Sequence, residues 1–262
     1  MPRQIRAAAV QFNIKPGAIQ INLAKAAEGL RRAAQQGAQL AVLPEMWSCA
    51  YDFRHMTALA EQTPQVLEHW QQTCRDTGLV SVGSLPEIAG EKIYNTAYVI
   101  DCGEVIGRYR KLHLFSTMNE DKYLAAGDEM LVVETSIARL GIAICYDLRF
   151  PELFRKLSLA GAEIICLPAE WPKPRQEHWD TLIRARAIEN QLFVVAANCC
   201  GVQGPLDFFG RSQLISPLGR VLAFAGEEEA ELVADFDFDE MAQYRHQINI
   251  LGDRRSDVYG TP

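Results

Sequence analysis

Apolar runs of strand length alternate with helical patterns along the whole of this 262-residue chain, and that alternation restricts it to an α/β fold. Residues 5–12 read as a first strand. Residues 39–44 (Gln-Leu-Ala-Val-Leu-Pro) are continuously apolar, as a strand is when both faces of its sheet are covered. Between them lies a helix, with Asn22 as its expected cap and Gly37 in the left-handed position after its end. A helix is expected over residues 64–76. Strands follow over 79–84, 93–100 and 105–109, then a loop over 116–130. Strands over 131–134 and 138–145 precede a helix over 151–160, which Pro151 opens where its missing N–H costs nothing. Further strands are expected over 163–168, 192–197, 213–216, 220–224 and 232–236, with a helix over 177–190 and a polar tail at the end. The strands are too many for one modest sheet. Two sheets packed face to face, with helices outside, would bury these runs on both sides. A (β/α)₈ barrel is the rival, but the adjacent strand pairs at 93–109 and 213–224 read as hairpins and count against it. No linker or low-complexity segment interrupts the order, so a single domain over residues 1–262 is expected.

Composition narrows the partners. A net charge of -7 argues against nucleic acid, whose phosphates call for a basic surface. No apolar stretch reaches membrane-spanning length, and the first residues lack the apolar core of a signal peptide, so no membrane partner is expected. Seven cysteines, without the spacing of a disulfide framework, point to free thiols in a reducing cytoplasm. Cys199 and Cys200 are adjacent rather than spaced as a zinc or redox pair. Five scattered histidines form no ligand cluster, so no metal is expected.

Three apolar runs each end in a residue with chemistry to offer: Glu45, Lys111 and Cys145. A lone Glu after a strand is commonly a turn residue, a lone Lys is commonly surface, and a lone Cys is commonly packing. Taken together they suit acyl transfer. A thiolate attacks an acyl carbon more readily than a thiol, and the start of a nearby helix favours the thiolate. A carboxylate such as Glu45 takes the proton. A Lys111 ammonium and the backbone N–H of Tyr146 stabilise the tetrahedral oxyanion, one such donor contributing about 3–4 kcal/mol.

The segments Leu-Pro-Glu45, Tyr-Arg-Lys111-Leu-His and Ile-Cys145-Tyr-Asp-Leu-Arg-Phe-Pro-Glu strongly resemble the nitrilase (carbon–nitrogen hydrolase) superfamily, over nearly the whole chain. The resemblance implies a four-layer αββα sandwich that forms a homodimer or a higher homo-oligomer, with the helix over 151–160 near the two-fold axis. It implies hydrolysis of non-peptide C–N bonds through a thioester, with Glu45, Lys111 and Cys145 as catalytic triad and neither metal nor cofactor. Glu120, seven residues before Gly127, matches a second glutamate of the family that positions substrate or assists proton transfer.

The stretches 170–175 (Glu-Trp-Pro-Lys-Pro-Arg), 178–179 and 184–191 resemble omega-amidases, which release ammonia from the terminal amide of 2-oxoglutaramate or 2-oxosuccinamate. Such a substrate needs a cation for its far carboxylate. Arg149 is the first candidate and Arg175 the second, while Trp171 would wall the pocket. Plain alternatives are a structural bridge from Arg149 to Asp147 or Glu152, and Trp171 as core. Deaminated glutathione amidase and N-carbamoyl amino acid hydrolase are the neighbouring activities. A non-catalytic small-molecule-binding member of the fold is the alternative from another class. The Gly-rich stretch 201–210 lacks the lysine of a phosphate loop and reads as a pocket-edge loop.

Overall fold

The computed structural model describes residues 3–260; the first two and last two residues of the expected domain lie outside it. Fourteen strands are present: β1 (Gln4–Gln11), β2 (Leu40–Val42), β3 (Val80–Ala89), β4 (Lys92–Asp101), β5 (Glu104–Arg110), β6 (Leu131–Glu134), β7 (Arg139–Ile142), β8 (Ile164–Ala169), β9 (Phe193–Asn198), β10 (Cys200–Gln203), β11 (Leu206–Phe209), β12 (Gln213–Ile215), β13 (Val221–Phe224) and β14 (Ala230–Asp237). The helices are α1 (Ile19–Gln35), α2 (Met56–Ala60), α3 (Thr63–Thr77), α4 (Glu120–Tyr123), α5 (Pro151–Leu159), α6 (Gln176–Asn190), α7 (Phe238–Gln247) and α8 (Ser256–Tyr259).

Two six-stranded sheets form, in the orders β14-β1-β2-β3-β4-β5 and β13-β12-β9-β8-β7-β6. Each has a parallel centre, β1-β2-β3 in one and β7-β8-β9 in the other, with antiparallel strands toward the edges. The sheets pack face to face, β1 against β9. The barrel alternative is therefore excluded: the strand pairs read as hairpins are hairpins, and they widen the sheets instead of closing a ring.

Strand alternation explains the layers. Ala7, Ala9, Leu40, Val42, Val80 and Val82 point between the sheets, into the cluster that holds Ile142, Ile164 and Val194. Ala8, Val10 and Ala41 point the other way, against Leu30 of α1 and Trp70 of α3. On the far side of the second sheet, Leu153, Phe154 and Leu157 of α5 and Ile183 and Ala187 of α6 close the fourth layer.

Several local expectations are corrected. Asn22 is not the cap of α1, which starts at Ile19. It is buried one turn inside, where its amide bonds the Lys15 N–H and the carbonyls of Lys15 and Ser48, tying the entry loop to the segment after β2. The stretch 201–210 is not simply a loop, because β10 and β11 pair as a small hairpin. Within the polar tail, Asp237 accepts from the N–H groups of Asp239 and Glu240 and so caps a real helix, α7. The strand expected to run into Cys145 stops at Ile142, because the chain then turns.

The C-terminal ends of the parallel strands and the end of β5 lie together, and ligands of open α/β sheets bind at such ends. Glu45 follows β2, Lys111 follows β5, Cys145 follows β7 and Glu170 follows β8.

Candidate active site

Lys111 is fully buried at the centre of the cluster. Its backbone is fixed from both sides: its N–H donates to the Asn95 carbonyl at 2.9 Å, and its carbonyl accepts from Gly127 at 2.9 Å. Gly127 must be glycine, since a Cβ there would collide with the Arg110 carbonyl. The ammonium donates to Glu45 Oε1 at 2.8 Å, to Glu120 Oε1 and Oε2 at 2.8 and 2.7 Å, and to the Tyr51 hydroxyl at 3.3 Å. Burial disfavours its charge, but the carboxylates of Glu120 and Glu45 outweigh that and hold it protonated above the ordinary lysine range.

Glu45 is equally buried and every donor around it is fixed. Oε1 accepts from Tyr51 at 2.6 Å and from Asn95 Nδ2 at 2.8 Å, besides Lys111; Oε2 accepts from the Glu170 N–H at 2.9 Å. Burial keeps the Tyr51 phenol neutral, so it acts as a donor here. Burial also raises Glu120, against the pull of Lys111, and the Glu45 charge adds to the rise.

Cys145 opens a single 3₁₀ turn, Cys145–Arg149, with φ of 43°. A non-glycine residue in the left-handed region needs its surroundings to hold it there. Asp147 does this. Its buried carboxylate accepts from Ile144 N at 2.8 Å, Tyr109 OH at 2.7 Å, His113 N at 3.1 Å and His113 Nδ1 at 2.7 Å. One side chain thus joins the nucleophile's turn to the end of β5 and the segment beyond Lys111. Met46 (φ 44°) and Asn119 (φ 61°), next to Glu45 and Glu120, share the left-handed conformation, so three of the four cluster residues sit at or beside a strained position.

The expectation of a favoured thiolate is not met. Burial, the facing Glu45 carboxylate and Glu120 push the Cys145 thiol well above its ordinary range, and Lys111 only partly opposes them. The long helix that would favour a thiolate, α5, begins six residues later at Pro151. The direction of these influences favours a thiol at Cys145, beside the Glu45 carboxylate. The N–H of Tyr146 lies in the first turn after Ile144, where a helix start leaves N–H groups without intrahelical partners.

A narrow pocket opens over Cys145, bounded by Glu120, Tyr146, Arg149, Trp171 and Arg175 among others. The Arg149 guanidinium lies 4.8 Å from the Trp171 ring centroid, and both its terminal nitrogens approach His178 Nδ1 at 3.2 Å. It forms no ion pair with Asp147 or Glu152; Asp147 is already committed to four donors. Arg175 lies over Phe115, 4.9 Å from its centroid, and its carbonyl accepts from Trp171 Nε1 at 2.9 Å. Trp171 is 2% exposed and belongs to the core while also walling the pocket, so the two readings of it coincide. Among the described residues, no group of three or more His, Cys, Asp or Glu side chains is placed to hold a metal ion.

Sequence reasoning did not single out Tyr51, Asn95 or Glu170, and it considered Asp147 only as a partner for Arg149. Glu170 carries the same signal that marked Glu45, a carboxyl at the end of a wholly apolar run. Tyr51 and Asn95 had no such signal, since only the folded chain brings them to Glu45.

The carbon–nitrogen hydrolase family matches residues 6–246, and the chain belongs to that family. It is therefore a hydrolase of non-peptide C–N bonds, an amidase. Among relatives, it is 40% identical over 253 residues to the 2-oxoglutaramate amidase of Bacillus subtilis (strain 168), covering 95% of this chain and 97% of that one. It is 33% identical to human omega-amidase NIT2, with 91% of each chain covered. Among solved structures, a variant of the amidase from Nesterenkonia sp. AN1 superposes with a TM-score of 0.87 at 31% identity, covering 98% of this chain and 96% of that one. In that structure the acetamide moiety of fluoroacetamide is bonded to the active-site cysteine.

Proposed function

We propose that this chain hydrolyses the terminal amide of a small dicarboxylate monoamide, of the 2-oxoglutaramate or 2-oxosuccinamate type, to the acid and ammonia. The observation that carries the reading is the buried Cys145 beside Glu45, with the Lys111 ammonium bonded to both Glu45 and Glu120. Glu45 takes the thiol proton as Sγ bonds to the amide carbon. Lys111 Nζ and the Tyr146 N–H stabilise the oxyanion. Glu45 then passes its proton to the amide nitrogen, the C–N bond breaks, and ammonia leaves behind a thioester. A water that gives its proton to Glu45 attacks the thioester. The Cys145 sulfur leaves, recovers that proton, and the acid departs. Glu120, with both oxygens on Lys111, positions the ammonium and preserves its charge. The covalent adduct on the Nesterenkonia cysteine supports the nucleophile.

Substrate class rests on the far end of the pocket. Arg149 and Arg175 have no carboxylate partner among the described residues and lie on aromatic faces, where they suit the substrate's distal carboxylate. The relatives named for 2-oxoglutaramate and omega-amides agree with this. The reading carries a single catalytic domain acting as a homodimer in the cytoplasm. The free state of all seven cysteines supports the compartment.

An ammonia-release panel tests the proposal: 2-oxoglutaramate, 2-oxosuccinamate, deaminated glutathione, an N-carbamoyl amino acid and a simple nitrile. The two oxo-acid amides are expected to give the highest kcat/KM, and Cys145→Ala to abolish release. Preference for the nitrile or the carbamoyl compound would overturn the substrate assignment. Retained activity in Cys145→Ala would overturn the mechanism.

A further inference from the structure

Glu170 has no part in the chemistry above, yet it lines the same pocket as Cys145 and Glu120. It is 1% exposed, and neither of its carboxyl oxygens has a hydrogen-bond partner. Gln203 approaches it without hydrogen-bonding geometry. Leaving a buried carboxyl unsatisfied is costly, and such a group in a pocket is one whose partner arrives with the ligand.

The substrate's needs identify that partner. A primary amide has two N–H donors at the scissile end. The oxygens of Glu45 are taken by Lys111, Tyr51, Asn95 and the Glu170 N–H, and both oxygens of Glu120 are held by Lys111. Glu170 is the carboxyl lining the pocket with acceptor capacity wholly unused. Its backbone N–H touches Glu45, so it stands at the amide end of the pocket and not at the end of Arg149 and Arg175. We infer that Glu170 contacts the substrate, accepting an N–H of the primary carboxamide, and thereby selects unsubstituted amides. This inference rests on the amidase reading. Burial and the nearby charge of Glu45 keep the group protonated, and a neutral acid still offers its carbonyl oxygen as acceptor.

The test compares Glu170→Leu, which has no acceptor, with Glu170→Gln, which keeps one. With a dicarboxylate monoamide, E170L should lose about 10–100-fold in kcat/KM, the effect of one buried hydrogen bond, while E170Q stays within about fivefold of the wild type. Calorimetry in a Cys145→Ala background reads binding separately. There E170L should weaken the amide by a similar factor and leave the matching methyl ester, which has no N–H, within about twofold. Glu170→Ala serves the same comparison if E170L does not fold. Unchanged amide kinetics, or equal losses of amide and ester binding, overturns the inference. A wild-type protein that releases no ammonia from any amide defeats the amidase reading instead, which is a different result.

Discussion

Replacing Asp147 by Asn tests how the nucleophile is held. The carboxylate accepts four hydrogen bonds, two on each oxygen, from Ile144 N, Tyr109 OH, His113 N and His113 Nδ1. Asparagine has the same shape but one acceptor oxygen, and its NH₂ would face two donors. Two bonds to a charged group are therefore lost, at roughly 1.5–3 kcal/mol each, a total of about 3–6 kcal/mol. That is a large part of the 5–15 kcal/mol or so that keeps a typical domain folded. At roughly 2–4 °C per kcal/mol, Tm should fall by about 6–24 °C. The loss falls on the turn that keeps Cys145 at its positive φ, so kcat should drop well beyond the change in KM. Thermal unfolding and steady-state ammonia release measure the two effects on one preparation. If Tm falls by less than about 3 °C and kcat is unchanged, Asp147 is not what holds the nucleophile, and the reasoning fails.

Lys111→Ala removes an oxyanion donor and should cost about 10²–10³ in kcat, read by single-turnover ammonia release; a loss under about tenfold would assign the oxyanion to other donors. Arg149→Leu should raise KM for an anionic monoamide by about tenfold or more and leave a neutral amide such as butyramide alone. Equal effects on both substrates would remove Arg149 from carboxylate recognition. Burial raises the Glu170 pKa, so the folded protein holds this proton more tightly than the unfolded chain. Its contribution to stability is therefore full below the ordinary carboxyl range and is lost as pH rises toward the raised value. Glu170→Gln lacks that loss. Its stability relative to the wild type should increase as pH rises above the ordinary carboxyl range, by about 1.4 kcal/mol for each pH unit until the raised value is reached. Parallel Tm–pH curves would show that Glu170 is ionised in the folded protein.

The fold was legible because its strands are buried on both faces, and such strands read as unbroken apolar runs: residues 39–44 gave β2, and 163–168 gave β8. Chemistry at the ends of those runs was legible for the same reason, since a polar residue there stands out against its neighbours. What stayed hidden depends on contacts between distant segments. Asn22 has the composition of a cap, but tertiary hydrogen bonds to Lys15 and Ser48 determine its place. Tyr51 lies in an aperiodic stretch, and its hydroxyl reaches Glu45 only because the chain turns back through Met46 and Ala50, both at positive φ. The thiol's protonation was misread because helix proximity in sequence says nothing about two carboxylates arriving from distant segments, Glu45 after β2 and Glu120 on α4.

That protonation state has a consequence for survival of the protein between turnovers. Peroxide and disulfides react with thiolates, and only slowly with thiols shielded from solvent. Cys145 is 7% exposed, and its burial and the facing Glu45 carboxylate favour the protonated thiol. Oxidants in solution therefore meet a shielded sulfur at Cys145, and Cys102, the exposed cysteine on the β4–β5 turn, is the first to meet them.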